Sequence, residues 1–140
     1  APPPRGWNAP MPDTLHILVA EDEPLAAMAL EDFLTGKGFR VTLAQDGLEA
    51  LERHRDDPAD LVITDLRMPR MDGRALIRAL RAQDASLPLL VMTGFLALEP
   101  GQDDLTADVW KPLEILRKPI SPQVILETLA RLMKPGGAAA

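Results

Sequence analysis

A doubly wound α/β fold, with five parallel strands alternating with five helices, is what this 140-residue sequence predicts. Three observations predict it. Short apolar runs recur along the chain, and most end in an acid, a hydroxyl or a lysine. Amphipathic stretches at helical spacing separate them. Proline and glycine stand at the joints. Such alternation implies a parallel sheet covered by helices on both faces. Right-handed crossovers then bring every strand's C-terminal end to one edge, where open α/β sheets place their ligands.

Residues 1–12 hold five prolines and no periodic pattern, and they read as an extended arm or linker in which Trp7 packs loosely or not at all. The folded domain is expected over 13–134, with a short flexible tail at 135–140. Leu15 to Ala20 reads as the first strand. Glu21-Asp22-Glu23-Pro24 follows, with proline suited to a first helical turn and acids suited to its positive end. That helix is expected from Pro24 to about Lys37, with Leu25, Met28, Ala29 and Phe33 on its apolar side and Gly36 and Gly38 at its end. Arg40 to Ala44 is the second strand. Asp46 and Glu49 form a capping-box pattern for a helix reaching about Arg55, closed by Asp57-Pro58.

Leu61 to Ile63, bounded by Asp60 and Asp65, reads as a buried third strand. After a proline-containing loop, Asp72-Gly73 opens a helix with Ala75, Leu76, Ala79 and Leu80 as its stripe and Arg74, Arg78 and Arg81 on the wet side. Pro88 to Thr93 is the fourth strand. Residues 95–113 contain two prolines and four acids, so a short or irregular helix is expected there. Glu114 to Arg117 is a brief fifth strand, and Ser121-Pro122 caps a last helix carrying Ile125, Leu129, Leu132 and Met133.

The totals exclude several classes. A net charge of -6 argues against a general nucleic-acid or anionic-membrane surface. The absence of cysteine excludes disulfides, thiolate metal sites and a cysteine nucleophile. No apolar run approaches the roughly 20 residues needed to span a bilayer, and no secretory signal is visible, so a cytoplasmic location is expected. His16 begins a strand and His54 lies near a helix end; neither has metal-ligand spacing, and both read as structural or exposed.

At the expected strand ends stand Glu21 and Asp22, Asp65, Thr93 and Lys118. Each has a plain reading: an N-cap for the acids, a turn for Asp65, a strand residue for Thr93, a solvated lysine for Lys118. Their coincidence at one rim argues for more. Crowded carboxylates repel and call for a cation. Oxygen donors favour a hard ion such as Mg2+, and Lys118 adds a second positive charge. Together they suit a phosphoryl group arriving at Asp65, whose carboxylate would form an acyl phosphate.

Read as motifs, Val19-Ala20-Glu21-Asp22-Glu23-Pro24, Thr64-Asp65-Leu66-Arg67-Met68-Pro69-Arg70-Met71-Asp72-Gly73, Met92-Thr93-Gly94 and Leu116-Arg117-Lys118-Pro119 follow one another in a specific order. With them the sequence resembles a response-regulator receiver domain of bacterial two-component signalling, over about residues 15–133. The resemblance implies a flavodoxin-like (βα)5 sheet with strand order 2-1-3-4-5. It implies that Asp65 is the phosphoacceptor. It implies that Asp22 and Asp65 ligate Mg2+ directly, with Glu21 acting through water and the backbone carbonyl of Arg67 as a further ligand. Thr93 would bond the phosphoryl group and Lys118 would pair with it. The donor would be a phosphohistidine on a sensor histidine kinase or a histidine phosphotransfer protein. Output would come from a shift of the face built by the fourth helix, fifth strand and fifth helix toward a protein partner, and the same face is a possible homodimer contact. The domain would be a signalling module rather than an enzyme, catalysing only its own phosphorylation and dephosphorylation.

Two departures from that pattern matter. Many receivers carry Tyr or Phe three residues before the lysine, where this sequence has Ile115. Thr93 is followed by Gly94-Phe95 rather than by alanine, which resembles receivers found as single domains or within hybrid kinases. Phe95 and Ile115 are therefore the candidate switch variants. Seven residues follow the last helix, so output is expected by protein contact or by relay rather than by direct nucleic-acid binding. Two other readings compete. A phospho-independent binding module on the same fold has no need of the full acid-threonine-lysine set. A Mg2+-dependent hydrolase with an aspartyl-phosphate intermediate places Asp-x-Asp after the first strand, where this chain has Glu21-Asp22-Glu23.

Overall fold

A computed structural model describes residues 14–94 and 104–133. The expected arm at 1–12, the tail at 135–140, Trp7 and Phe95 lie outside the described residues. The strands are β1 (His16–Ala20), β2 (Arg40–Ala44), β3 (Leu61–Thr64), β4 (Leu89–Thr93) and β5 (Leu113–Arg117). All pair in parallel, in the order β2-β1-β3-β4-β5. The α-helices among the described residues are α1 (Pro24–Gly36), α2 (Gly47–Asp56), α3 (Gly73–Gln83) and α4 (Pro122–Met133). In the stretch expected to be irregular, the described part holds a short 3-10 helix, Asp108–Trp110.

Alternation along the strands sends side chains to two cores. Leu18, Val62, Leu89 and Val91 face one core with Ala50 of α2 and Leu76, Ile77 and Leu80 of α3. Ile17, Val19, Leu61, Ile63 and Leu90 face the other, with Leu34 of α1 and Ile125 and Leu129 of α4. The central strands are therefore apolar at nearly every position, as a sheet covered on both sides requires.

Backbone bonds continue one residue past the strands. Asp65 N donates to the Ala20 carbonyl at 3.1 Å, Glu21 N to Ala44 at 2.9 Å, and Lys118 N to Thr93 at 2.9 Å. These bonds hold Glu21, Asp65 and Lys118 on a common rim.

The helix starts follow their caps. Glu23 accepts from Leu25 N at 2.8 Å, Asp46 from Glu49 N at 2.9 Å, Asp72 from Ala75 N at 2.9 Å and the Ser121 hydroxyl from Val124 N at 3.3 Å. The capping box at Asp46 is shifted in one detail. Glu49 reaches back to Gln45 N at 2.7 Å, one residue before the cap.

Two expected helix faces are corrected. In α1 the buried positions are Ala27 and Leu34, with Leu30 and Phe33 packed beside them, whereas Leu25 and Met28 are exposed. The stretch Leu25 to Leu30 is apolar throughout, so periodicity alone does not select the inward side. In α3, Arg78 is exposed, but Arg74 is buried and Arg81 is half-buried. Arg74, Ile77 and Arg81 fall on one line of the helix, spaced three and four residues apart. That line faces the segment before β5. The Arg81 guanidinium donates to the carbonyls of Trp110 at 2.8 Å, Pro112 at 3.0 Å and Asp84 at 2.9 Å. The charge of Arg74 helps to hold the Asp104 carboxyl below its usual range, after the larger effect of hydrogen bonds from Thr106.

Both histidines are structural. His16 is buried, with Nδ1 3.0 Å from the Pro58 carbonyl and Nε2 2.7 Å from the Thr42 hydroxyl. His54 Nδ1 accepts from Ala59 N at 3.1 Å.

Arg81 thus ties the approach to β5 onto α3. Replacing it by Met strips three backbone carbonyls of a donor. Arg81→Met is expected to lower stability by about 2 kcal/mol. Urea unfolding checks this, and an unchanged midpoint would show that water satisfies these carbonyls equally well.

Candidate functional site

Asp65 follows β3 directly, and its side chain is 12% exposed. One carboxylate oxygen, Oδ1, accepts from Leu66 N at 2.6 Å and Arg67 N at 3.3 Å. The other, Oδ2, accepts from Lys118 Nζ at 2.9 Å. Lys118 Nζ also donates to Glu21 Oε1 at 3.1 Å, while Glu21 Oε2 accepts from Glu23 N at 3.1 Å. One ammonium therefore stands between two carboxylates from two other strand ends. Burial works against the charge of Lys118. The hydrogen bonds from Lys118 to Asp65 and Glu21 and their negative charges outweigh burial and hold its pKa above the ordinary lysine value.

The remaining expected site residues take the following places. Thr93 is buried at the end of β4, with its carbonyl bonded to Lys118 N. Asp22 is exposed in the bend after Glu21. Arg67 is exposed in the loop two residues beyond Asp65. Ile115 is half-buried in β5, in register with Val91, and packs against the α2-α3 core. The structure thus joins Glu21, Asp65 and Lys118 by direct hydrogen bonds. It brings Thr93 in through the backbone and leaves Asp22 and Arg67 on the two flanking loops.

No three acidic, histidine or cysteine side chains among the described residues converge into a metal cage. Mg2+ does not need one: it is held by one or two carboxylates and keeps several waters. Hard oxygen donors from Asp65, its neighbouring backbone and the Glu21-Asp22 pair are the right chemistry for such an ion.

The loop after Asp65 is fixed at both ends. Gly73 N donates to the Leu66 carbonyl at 2.9 Å, and a Cβ at Gly73 would run into the Asp65 carbonyl. At the far side Gly47 N donates to the Met71 carbonyl at 2.9 Å, and a Cβ at Gly47 would lie 2.5 Å from that oxygen. Beside it, Arg70 donates to both oxygens of Asp46, at 2.8 and 3.1 Å. The Arg70 guanidinium holds the Asp46 carboxyl below its usual range, and N–H groups of Glu49 and Leu48 add to this. The sequence pattern marks Asp46 only as a helix cap and gives no sign of its second partner.

Chemically, the rim offers a carboxylate oxygen at Asp65, an ammonium at 2.9 Å from it and a buried threonine on the adjoining strand. A carboxylate so placed is a candidate nucleophile toward phosphorus, with positive charge at hand for the oxygens of the incoming group.

Known proteins resemble this chain over most of its length. The family model "Response regulator receiver domain" matches residues 17–130. The transcriptional regulatory protein ZraR of Escherichia coli is 33% identical over 121 residues, covering 86% of this chain and 27% of that protein. The DNA-binding response regulator MtrA of Mycolicibacterium smegmatis is 37% identical over 115 residues, covering 76% of this chain and 50% of that protein. The chain therefore spans about a quarter to a half of the length of these relatives. The solved structure of the chemotaxis response regulator CheY4 of Vibrio cholerae superposes with a TM-score of 0.73 at 29% identity, covering 85% of this chain and 98% of that one.

Lys118 has its pKa raised in the folded state, so it contributes stability below the ordinary lysine value of 10.5 and loses that contribution as pH rises through the folded value. Denaturant unfolding of the protein and of Lys118→Met as a function of pH checks this. The gap between the two is expected to be constant from neutral pH to about pH 9 and to close above 10.5. A gap that persists undiminished beyond pH 11 would mean that packing, not charge, accounts for the contribution of Lys118.

Proposed function

The chain belongs to the family of response regulator receiver domains, and from that premise we propose that it is a phosphoacceptor of a two-component phosphorelay. An Asp65 carboxylate oxygen attacks the phosphorus of a phosphohistidine. The new O–P bond forms as the N–P bond breaks, and the histidine nitrogen leaves with the electron pair and takes up a proton. The observation that carries this reading is the placement of Lys118 Nζ between Asp65 and Glu21, 2.9 and 3.1 Å from their oxygens. That ammonium keeps the acids together before transfer and is within reach of a phosphoryl oxygen afterwards.

Asp22, Asp65 and the carbonyl of Arg67 would hold Mg2+, with Glu21 reaching it through water. When bound, the ion offsets charge on the transferring oxygens. The Thr93 hydroxyl stands at the neighbouring strand end to bond the phosphoryl group, and Lys118 pairs with it. Those two contacts bias the elements that follow them, the segment before β5, β5 itself and α4, toward a second packing that a protein partner reads. With Ile115 in β5 no ring is available to swing between buried and exposed positions, so Phe95 and the residues after it are assigned that part of the switch. The same face is the proposed homodimer contact.

The phosphodonor is a sensor histidine kinase or a histidine phosphotransfer protein. Exposed Leu25 and Met28 on α1, just beyond Asp22, give it an apolar landing surface beside the site. No helix among the described residues is long and apolar enough to cross a membrane, and we place the domain in the cytoplasm with such kinases.

Intact-mass measurement with acetyl phosphate, and with phosphorylated kinases or phosphotransfer proteins, tests the reading. One phosphoryl adduct is expected on the protein in Mg2+, with none in EDTA and none on Asp65→Asn. An equal adduct on Asp65→Asn, or none from any donor, would refute it and favour the phospho-independent binding module.

A further inference from the structure

Arg70 is the non-glycine residue among those described that has a positive φ, at 64°. L side chains rarely occupy this region unless their surroundings hold them there. What holds Arg70 is visible. Its guanidinium meets Asp46 with two hydrogen bonds, a match of planar fork to carboxylate that a lysine does not reproduce. Asp46 is only 9% exposed while Arg70 is 58% exposed, so the acid is the fixed half and the arginine is drawn to it. Asp46 is fixed because it also caps α2.

The position of this contact gives it significance. Residues 65–72 link the end of β3 to the start of α3. The inner end of the loop is tied to Asp65 through Leu66 N and Arg67 N, and Gly73 N closes onto Leu66. The outer end is tied to the start of α2 by the Arg70 ion pair and by the bond from Gly47 N to the Met71 carbonyl. The Arg67 carbonyl, Met68 and Pro69 lie between the two ties. The direction of the Arg67 carbonyl therefore depends on both ends being held.

We propose that Arg70 and Asp46 form a positioning clasp that sets the loop carrying the Arg67 carbonyl, and so tunes Mg2+ affinity at Asp65 without touching the ion. The inference rests on the reading of Asp65 as a Mg2+-dependent phosphoacceptor. Partners of metal ligands commonly change metal affinity by about 10- to 100-fold when removed.

Two variants separate positioning from folding. Arg70→Gly removes the side chain at a φ that glycine adopts freely, so the backbone is not strained. Asp46→Ser keeps a helix-capping residue but is too short to reach Arg70. Calorimetric titration gives the Mg2+ dissociation constant of the unphosphorylated proteins, and acetyl phosphate kinetics give the half-saturating Mg2+ and the maximal rate. Each variant is expected to bind Mg2+ about 10-fold more weakly, with a near-normal rate at saturating Mg2+ and a thermal midpoint close to that of the parent. The double variant is expected to be no weaker than either single one, because the two residues act as one contact. Parent-like Mg2+ affinity in both single variants, or effects that multiply in the double, would overturn the clasp. A parent protein that neither binds Mg2+ nor accepts phosphate would instead overturn the reading beneath it.

Discussion

Lys118 reaches two carboxylates, Asp65 and Glu21, that repel each other at short range in its absence. They stand 53 and 97 residues away in the chain. Only the folded sheet brings them together, and only a cation lets them stay together away from bulk water. The site is built around that constraint. On the proposed reading the ammonium lies within reach of a phosphoryl oxygen at Asp65, so the same group would balance the acids before transfer and the phosphate after it.

The sheet supplies the geometry. Parallel pairing runs on by one residue beyond β1, β3 and β5, through the bonds from Glu21 to Ala44, Asp65 to Ala20 and Lys118 to Thr93. A slip in the register of one strand moves a charged group off the rim and swaps its apolar side chains between two cores packed for different shapes. Burial of Leu18, Val62 and Val91 on one face and of Val19, Ile63 and Leu90 on the other opposes such a slip. Core packing and site placement are in this sense one requirement. The loops then refine what the strands place: Gly73 closes against Asp65, and α2 receives the outer end of the same loop through Gly47 and Asp46.

Much of this was legible in the residues. Strands buried on both faces appear as unbroken apolar runs, and Asp46 and Asp72 mark helix starts by local patterns, so both could be read directly. The inward side of α1 could not, because Leu25 to Leu30 is apolar all round and neighbouring elements choose the face. Arg74 and Arg81 misled for the opposite reason. Charge suggested solvent, yet the segment before β5 folds over them and uses Arg81 as a donor to its carbonyls. The rim residues were visible as a coincidence of types at strand ends. That Lys118 would bridge Glu21 as well as Asp65, and that Arg70 would close on Asp46, was not visible. Both are contacts between distant segments with no local periodicity to mark them.

Chemical trapping is the most direct measurement of the central claim, that Asp65 carries the phosphoryl group. Protein treated with acetyl phosphate and Mg2+ is reduced with borohydride, which converts an aspartyl phosphate to homoserine, and is then digested for tandem mass spectrometry. Homoserine is expected at position 65 and unmodified aspartate at position 22. Homoserine at position 22, or phosphate on Thr93 or a histidine with position 65 unchanged, would contradict it.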